Sequence, residues 1–303
     1  MAQIKANGIS IEYDVSGAES GVPLLLIMGF GSQMTSWTPS FTQALVAEGF
    51  RVIRFDNRDV GLTQRFSGTP SAKDVAAAVA KGETPELPYK LTDMAADAVG
   101  LLDALGIESA HIAGASMGGM IAQLVALDHP KKTRSLISIF STTGDPSLPR
   151  STPEAQAALL TAPASTSRDD VVAHAVKNRK IYASTRWPYD EARVAALAGA
   201  SYDRAYYPEG TLRQYAAILG TPPRTERLKS LKTPALVLHG TADTLVPWQA
   251  GAHTAASIPQ SEFVLIDGWG HDLPEGGVGM ISDYMAAFIR RAEAGRSAAA
   301  KAA

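Results

Sequence analysis

The chain has 303 residues, 46% hydrophobic and 19% charged, with a formal net charge of −2 and no cysteine. This composition suits an ordinary globular protein, one large α/β domain or one domain with an insertion. It excludes disulfides, thiolate chemistry and Cys-ligated zinc, and the lack of a clustered Lys/Arg block argues against a nucleic-acid partner. The opening MAQIKANGISIEYD mixes charged and polar residues where a signal peptide needs a continuous apolar stretch. The apolar run VPLLLIMGF is too short for a membrane span. The expectation is a cytoplasmic protein, a monomer or homodimer.

Residues 3 to 15 alternate in polarity, and Asn7-Gly8 supplies a tight turn, so the chain is expected to open with an antiparallel hairpin. Short, continuously apolar runs then follow at 23–29, 51–56, 110–115, 135–141, 234–240 and 262–267, the pattern of parallel strands covered on both faces. Helical segments lie between and after them at 37–49, 92–106, 117–130, 248–259 and 277–294, each closing near Gly or Pro. Strand alternating with helix predicts an α/β fold with a doubly wound, mostly parallel sheet of about eight strands. The stretch 145–225 breaks this rhythm. It has no buried strand and carries Tyr182, Tyr189, Tyr202, Tyr206, Tyr207, Tyr215 and Trp187. We expect a helical cap there, inserted into a core formed by 1–144 and 226–303. The segment 62–92 fits either a cover over a pocket or a surface run, and the Ala-rich tail 294–303 reads as frayed helix or disorder.

Chemistry is concentrated around Ser116, in AHIAGASMGGMIAQLVA. The serine falls at a strand-to-helix turn between Gly114 and Gly118, with a helix N-terminus behind it to favour developing negative charge. A serine hydroxyl needs a base, and the base an orienting acid. Of the six histidines, His271 alone lies in a glycine-rich loop after a strand, DGWGHDLP, at the carboxyl edge where α/β sheets bind ligands. His111 and His239 read as strand residues, His129 as a helix-end residue, and His174 and His253 as helical. Asp243, in HGTADTLVP, should reach the same edge from the adjacent strand; Asp145, Asp267 and Asp272 are weaker rivals, with Asp272 expected to be solvated. The backbone N–H groups of Phe30 and Met117 are placed to serve as an oxyanion hole.

The order Ser116, Asp243, His271, together with FDNRDVGLT, resembles the α/β-hydrolase superfamily over nearly the whole chain. In that loop Asp59 replaces the usual glycine, and Asp56 and Arg58 are expected to be structural. MGFGSQMTSW, with Met28 where many members have histidine, VIRFDNRDVGLT, ADAVGLLDALGIESAHIAGASMGGMIAQLVALDHP and HGTADTLVP are more narrowly similar to the aclacinomycin methylesterase group. That resemblance implies a serine esterase, without metal or organic cofactor, that removes a methyl ester from a polycyclic small molecule. Trp37, Tyr182, Trp187, Trp248 and Trp269 are candidates to line the substrate pocket. Lactonase, thioesterase, perhydrolase and carbon–carbon hydrolase activities fit the same triad, and a slow-turnover ligand receptor is the rival outside enzymology.

Overall fold

Asn7 and Gly8, at φ 48° and 76°, turn β1 (Ala2–Ala6) back onto β2 (Ile9–Ser16), the double left-handed turn that a two-residue hairpin requires. The structure is a computed structural model describing residues 1–68 and 70–302. The remaining strands are β3 (Val22–Ile27), β4 (Phe50–Phe55), β5 (Ala110–Ala115), β6 (Thr133–Ile139), β7 (Ala235–Gly240) and β8 (Glu262–Ile266). They form one sheet in the order β1-β2-β4-β3-β5-β6-β7-β8, antiparallel only where β2 meets β1 and β4. The order changes direction between β3 and β5, the switch point at which the carboxyl ends of parallel strands leave a crevice.

The helices are α1 (Pro39–Ala47), α2 (Ala72–Ala80), α3 (Leu91–Ala104), α4 (Met117–Asp128), α5 (Pro153–Leu160), α6 (Arg168–Arg179), α7 (Glu191–Arg204), α8 (Pro208–Leu219), α9 (Thr225–Leu228), α10 (Trp248–Ser257) and α11 (Val278–Ala302). Side-chain oxygens of Thr38, Ser71, Thr152, Ser167 and Asp190 accept from the free amides that open α1, α2, α5, α6 and α7. Alternate residues of the central strands feed opposite cores. Leu25, Ile53 and Ile112 pack with Met94 and Leu101 of α3 and Ile121 of α4. Leu24, Val52 and Ala113 pack with Phe41 of α1 and Ile281, Met285 and Phe288 of α11. Two features go beyond the sequence reading. The stretch 62–92 contains α2, which packs on α8, and the tail continues α11 through Ala302. Thr69 and Ala303 lie outside the described residues.

Between β6 and β7 the chain forms no strand and builds α5 to α9 instead. Buried charges tie these helices to the sheet. Asp59, in the left-handed region at φ 68°, receives the Arg213 guanidinium of α8 through contacts of 2.8 and 3.0 Å. Gly210 lets α8 approach that closely, since a Cβ there would stand 2.0 Å from the Asp59 carbonyl oxygen. Asp56 holds Arg204 of α7 at 2.7 Å, while Arg58 pairs with Asp97 of α3. Asp56 and Arg58 thus fix their loop from two sides. Replacing Arg213 by Met leaves Asp59 buried and unpaired, and urea denaturation should show a loss of about 3–5 kcal/mol. The double change Asp59→Asn with Arg213→Met should recover much of it; a single-variant loss below about 1 kcal/mol would show that the pair does not hold α8 in place.

Candidate active site

Ser116 stands between β5 and α4 at φ 57° and ψ −120°, a conformation that non-glycine residues hold only when their surroundings enforce it. Its N–H donates to Ile139 O (2.9 Å), and its carbonyl accepts Gly119 N (2.9 Å), Met120 N (3.2 Å) and Ser141 Oγ (2.7 Å). The flanking glycines follow from space. A Cβ on Gly114 would lie 2.0 Å from Gly118 O, and one on Gly118 would lie 2.1 Å from Ile27 O. Those approaches press the α4 N-terminus against β3 and β5 and present the serine at the sheet's carboxyl edge.

Asp243 and His271 reach that edge from the loops after β7 and β8. Asp243 Oδ2 and His271 Nδ1 are 2.7 Å apart, and Asp243 Oδ1 accepts Leu245 N (2.9 Å) and Val246 N (2.8 Å). Burial works to raise the Asp243 carboxyl, but His271 and His239 outweigh it and hold its pKa at about 2. His239 is the strand residue expected, but its ring also lies 3.4 Å from Asp243 Oδ2 and bonds Val246 O at 2.8 Å, closing the acid's loop. The available signal was its position four residues before Asp243. Phe140, just past β6 at φ 34°, lays its ring 4.6 Å from that of His271, centroid to centroid.

The loops after β3, β7 and β8 are held by the α5–α9 region. His271 N donates to Tyr182 O (2.7 Å), Gly270 N to Ser184 Oγ (3.1 Å), and Thr185 N and Arg186 N to Gly268 O (2.8 and 2.9 Å). Asp272 is therefore half-buried rather than freely solvated. Its Oδ1 accepts both Ser184 N and Ser184 Oγ, and burial pushes its carboxyl up. Thr152 N donates to Thr244 O beside Asp243. Gln33, in the loop after β3, donates to Ser201 O and Ala205 O of the α7 end. Asp145 stands apart, with His253 Nε2 at 3.9 Å, and Asp267 accepts Thr241 Oγ1.

Ser116, Met117, Phe30 and His271 line one cavity of about 570 Å³. Tyr182 and Trp187 share that lining, together with Met28, Met120, Leu159, Leu197 and Tyr215. The other aromatic candidates do not line it. Trp37 and Trp269 have no exposed surface; both side chains turn inward, Trp37 against Phe41 and Trp269 against Phe140, in the core beneath α1 and α11. Trp248 opens α10, away from the lining.

A profile described as the alpha/beta hydrolase fold matches residues 22–277. The chain belongs to the alpha/beta hydrolase family. This hydrolase is 28% identical over 279 residues to rhodomycin D methylesterase DnrP of Streptomyces peucetius, covering 85% of this chain and 87% of that one. It is 27% identical over 271 residues to the 2-hydroxy-6-oxononadienedioate/2-hydroxy-6-oxononatrienedioate hydrolase of Paraburkholderia phymatum, covering 87% and 85%. Among solved structures, a meta-cleavage product hydrolase of Pseudomonas fluorescens superposes with a TM-score of 0.76 at 20% identity, over 96% of this chain and 98% of the other. An enol-lactonase of Burkholderia xenovorans gives 0.72 at 20% identity, over 95% and 100%. No described helix is long and apolar enough to cross a membrane.

A carboxyl held below its unfolded value stabilises the fold fully above that value, about 3.9 for Asp, and loses its contribution as pH falls through the folded one. For Asp243 that window is about pH 4 to 2. Acid unfolding of the wild type should therefore include a loss on the order of 2 kcal/mol across it, absent from Asp243→Asn. Equal slopes in the two proteins would count against this account of the buried carboxylate.

Proposed function

We propose that this hydrolase cleaves a carboxylic ester through a Ser116 acyl-enzyme. The observation that carries the reading is the 2.7 Å contact between Asp243 and His271 Nδ1, with His271 and the strained Ser116 on one cavity. With Nδ1 engaged by Asp243, His271 Nε2 is the nitrogen left to take the Ser116 proton. Ser116 Oγ then bonds the ester carbonyl carbon, and the oxyanion is met by the Phe30 and Met117 amides. Neither amide has a hydrogen-bond acceptor among the described residues. His271 returns the proton to the departing alkoxide as the C–O bond breaks. Water, deprotonated by the same nitrogen, attacks the acyl-enzyme; the carboxylic acid leaves and Ser116 regains its proton. Asp243 stays ionised and stabilises the imidazolium.

Residues 145–225 serve in this reading as a helical cap whose Tyr182, Trp187 and Tyr215 wall the cavity. A cavity lined by methionine, leucine and aromatic side chains suits an apolar small-molecule ester. Similarity to a rhodomycin D methylesterase makes a methyl ester of a polycyclic acid the first class to try.

The test is hydrolysis of a short p-nitrophenyl acyl ester by the wild type and by Ser116→Ala, both with native melting curves. The expected loss in kcat is about 10⁴- to 10⁶-fold. A serine variant as active as the wild type, or a wild type inert across acyl lengths and methyl esters, would overturn the ester-hydrolase reading.

A further inference from the structure

The loop from Met28 to Met34 carries the Phe30 amide. Its two ends are fixed from within the sheet: Met28 O accepts Asn57 Nδ2 (2.9 Å), and Met34 N donates to Asp56 Oδ1 (2.8 Å). Its middle is fixed from elsewhere. Gly31 N donates to Gln214 Oε1 at 2.9 Å, and the other end of the same carboxamide, Nε2, donates to Arg58 O at 2.9 Å. Gln214 lies on α8, in the helical insertion, and has no exposed surface. Each end of its carboxamide thus bonds a backbone group, one on each of two loops that the sheet alone leaves side by side.

Gly31 sits at φ 63°, so its N–H direction depends on a turn that glycine makes easily and that a partner must hold. Gly29 O, in the same peptide plane as the Phe30 N–H, accepts Ser32 N at 3.3 Å. The Gly31 N–H belongs to the next plane. The planes on either side of Phe30 are therefore held by Ser32 and by Gln214. The Phe30 ring also meets that of Tyr215, the residue after Gln214, at 6.0 Å between centroids.

We propose that Gln214 is a positioning residue for ester hydrolysis: through Gly31 it aims the Phe30 N–H at the oxyanion, so that the helical insertion completes the oxyanion hole. This rests on the ester-hydrolase reading above. Gln214 touches no reacting atom, and its loss should be felt where charge develops on the carbonyl oxygen while ground-state binding is spared.

The experiment compares the wild type with Gln214→Met, which keeps the side-chain length and removes both hydrogen bonds. Expected is a fall in kcat of about 10- to 100-fold, short of the 10²–10³ for deleting a donor outright, with KM within about twofold. Affinity for phenylboronic acid, which forms a tetrahedral adduct on an active-site serine, should weaken by the same factor as kcat, while affinity for the product acid holds. If Gln214→Met does not fold, Gln214→Leu is read by the same criteria. Wild-type kcat and boronate affinity in a folded variant would overturn the proposal, as would a lowered melting temperature with kcat unchanged or with KM carrying the loss. Failure of the underlying reading looks different: the wild type itself would neither turn over the ester nor be labelled at Ser116 by a fluorophosphonate.

Discussion

A left-handed serine can sit between β5 and α4 only because nothing larger than hydrogen occupies Gly114 and Gly118. A methyl group at either would overlap a neighbouring carbonyl oxygen at 2.0 to 2.1 Å. This contact fixes how near α4 lies to β3 and β5, and with it where the helix N-terminus points. Backbone conformation at Ser116 is unfavourable in isolation by about 1–3 kcal/mol, a cost that the surrounding hydrogen bonds and close packing offset. Everything else at the site is arranged about this point: the Met28–Met34 loop faces it across the switch point, and the loops after β7 and β8 bring Asp243 and His271 to the same edge.

The helices between β6 and β7 do more than cover that edge. Buried pairs anchor them, Arg213 to Asp59 and Arg204 to Asp56, and polar contacts run from them to the loops bearing Phe30, Asp243 and His271. A segment joined in so many places cannot swing away as a rigid lid without breaking buried hydrogen bonds, each of which leaves an unsatisfied group costing about 1–3 kcal/mol. The site is thereby pre-organised from both sides, by the sheet below and the helices above.

Much of this was legible in the residues. Continuous apolar runs marked β3 to β8, since parallel strands buried on two faces have little polar side to show, while alternation and the Asn7-Gly8 turn marked the antiparallel β1 and β2. Ser116, Asp243 and His271 could be selected because each follows a strand, and parallel strands bring their carboxyl ends together wherever they are in the sequence. Aromatic residues were less informative. Trp269 follows β8 as His271 does, yet its side chain turns into the core, as does that of Trp37 just before α1; Tyr182 and Trp187 face the cavity.

Sequence by itself determined the sheet, its crossovers and the candidate nucleophile, acid and base, because these depend on local hydrophobic pattern and on a topology with few alternatives. Tertiary structure alone decided how the helices between β6 and β7 hold the loops at the candidate site. Gln214 and Gly31 are 183 positions apart and no spacing or motif links the two, so their pairing follows from how α8 packs on the sheet. The same holds for Asp272, whose environment is set by Ser184 at a separation of 88 residues. A buried polar contact between distant segments leaves no periodic trace in the chain, because one hydrogen bond constrains one residue at each end and nothing beside it.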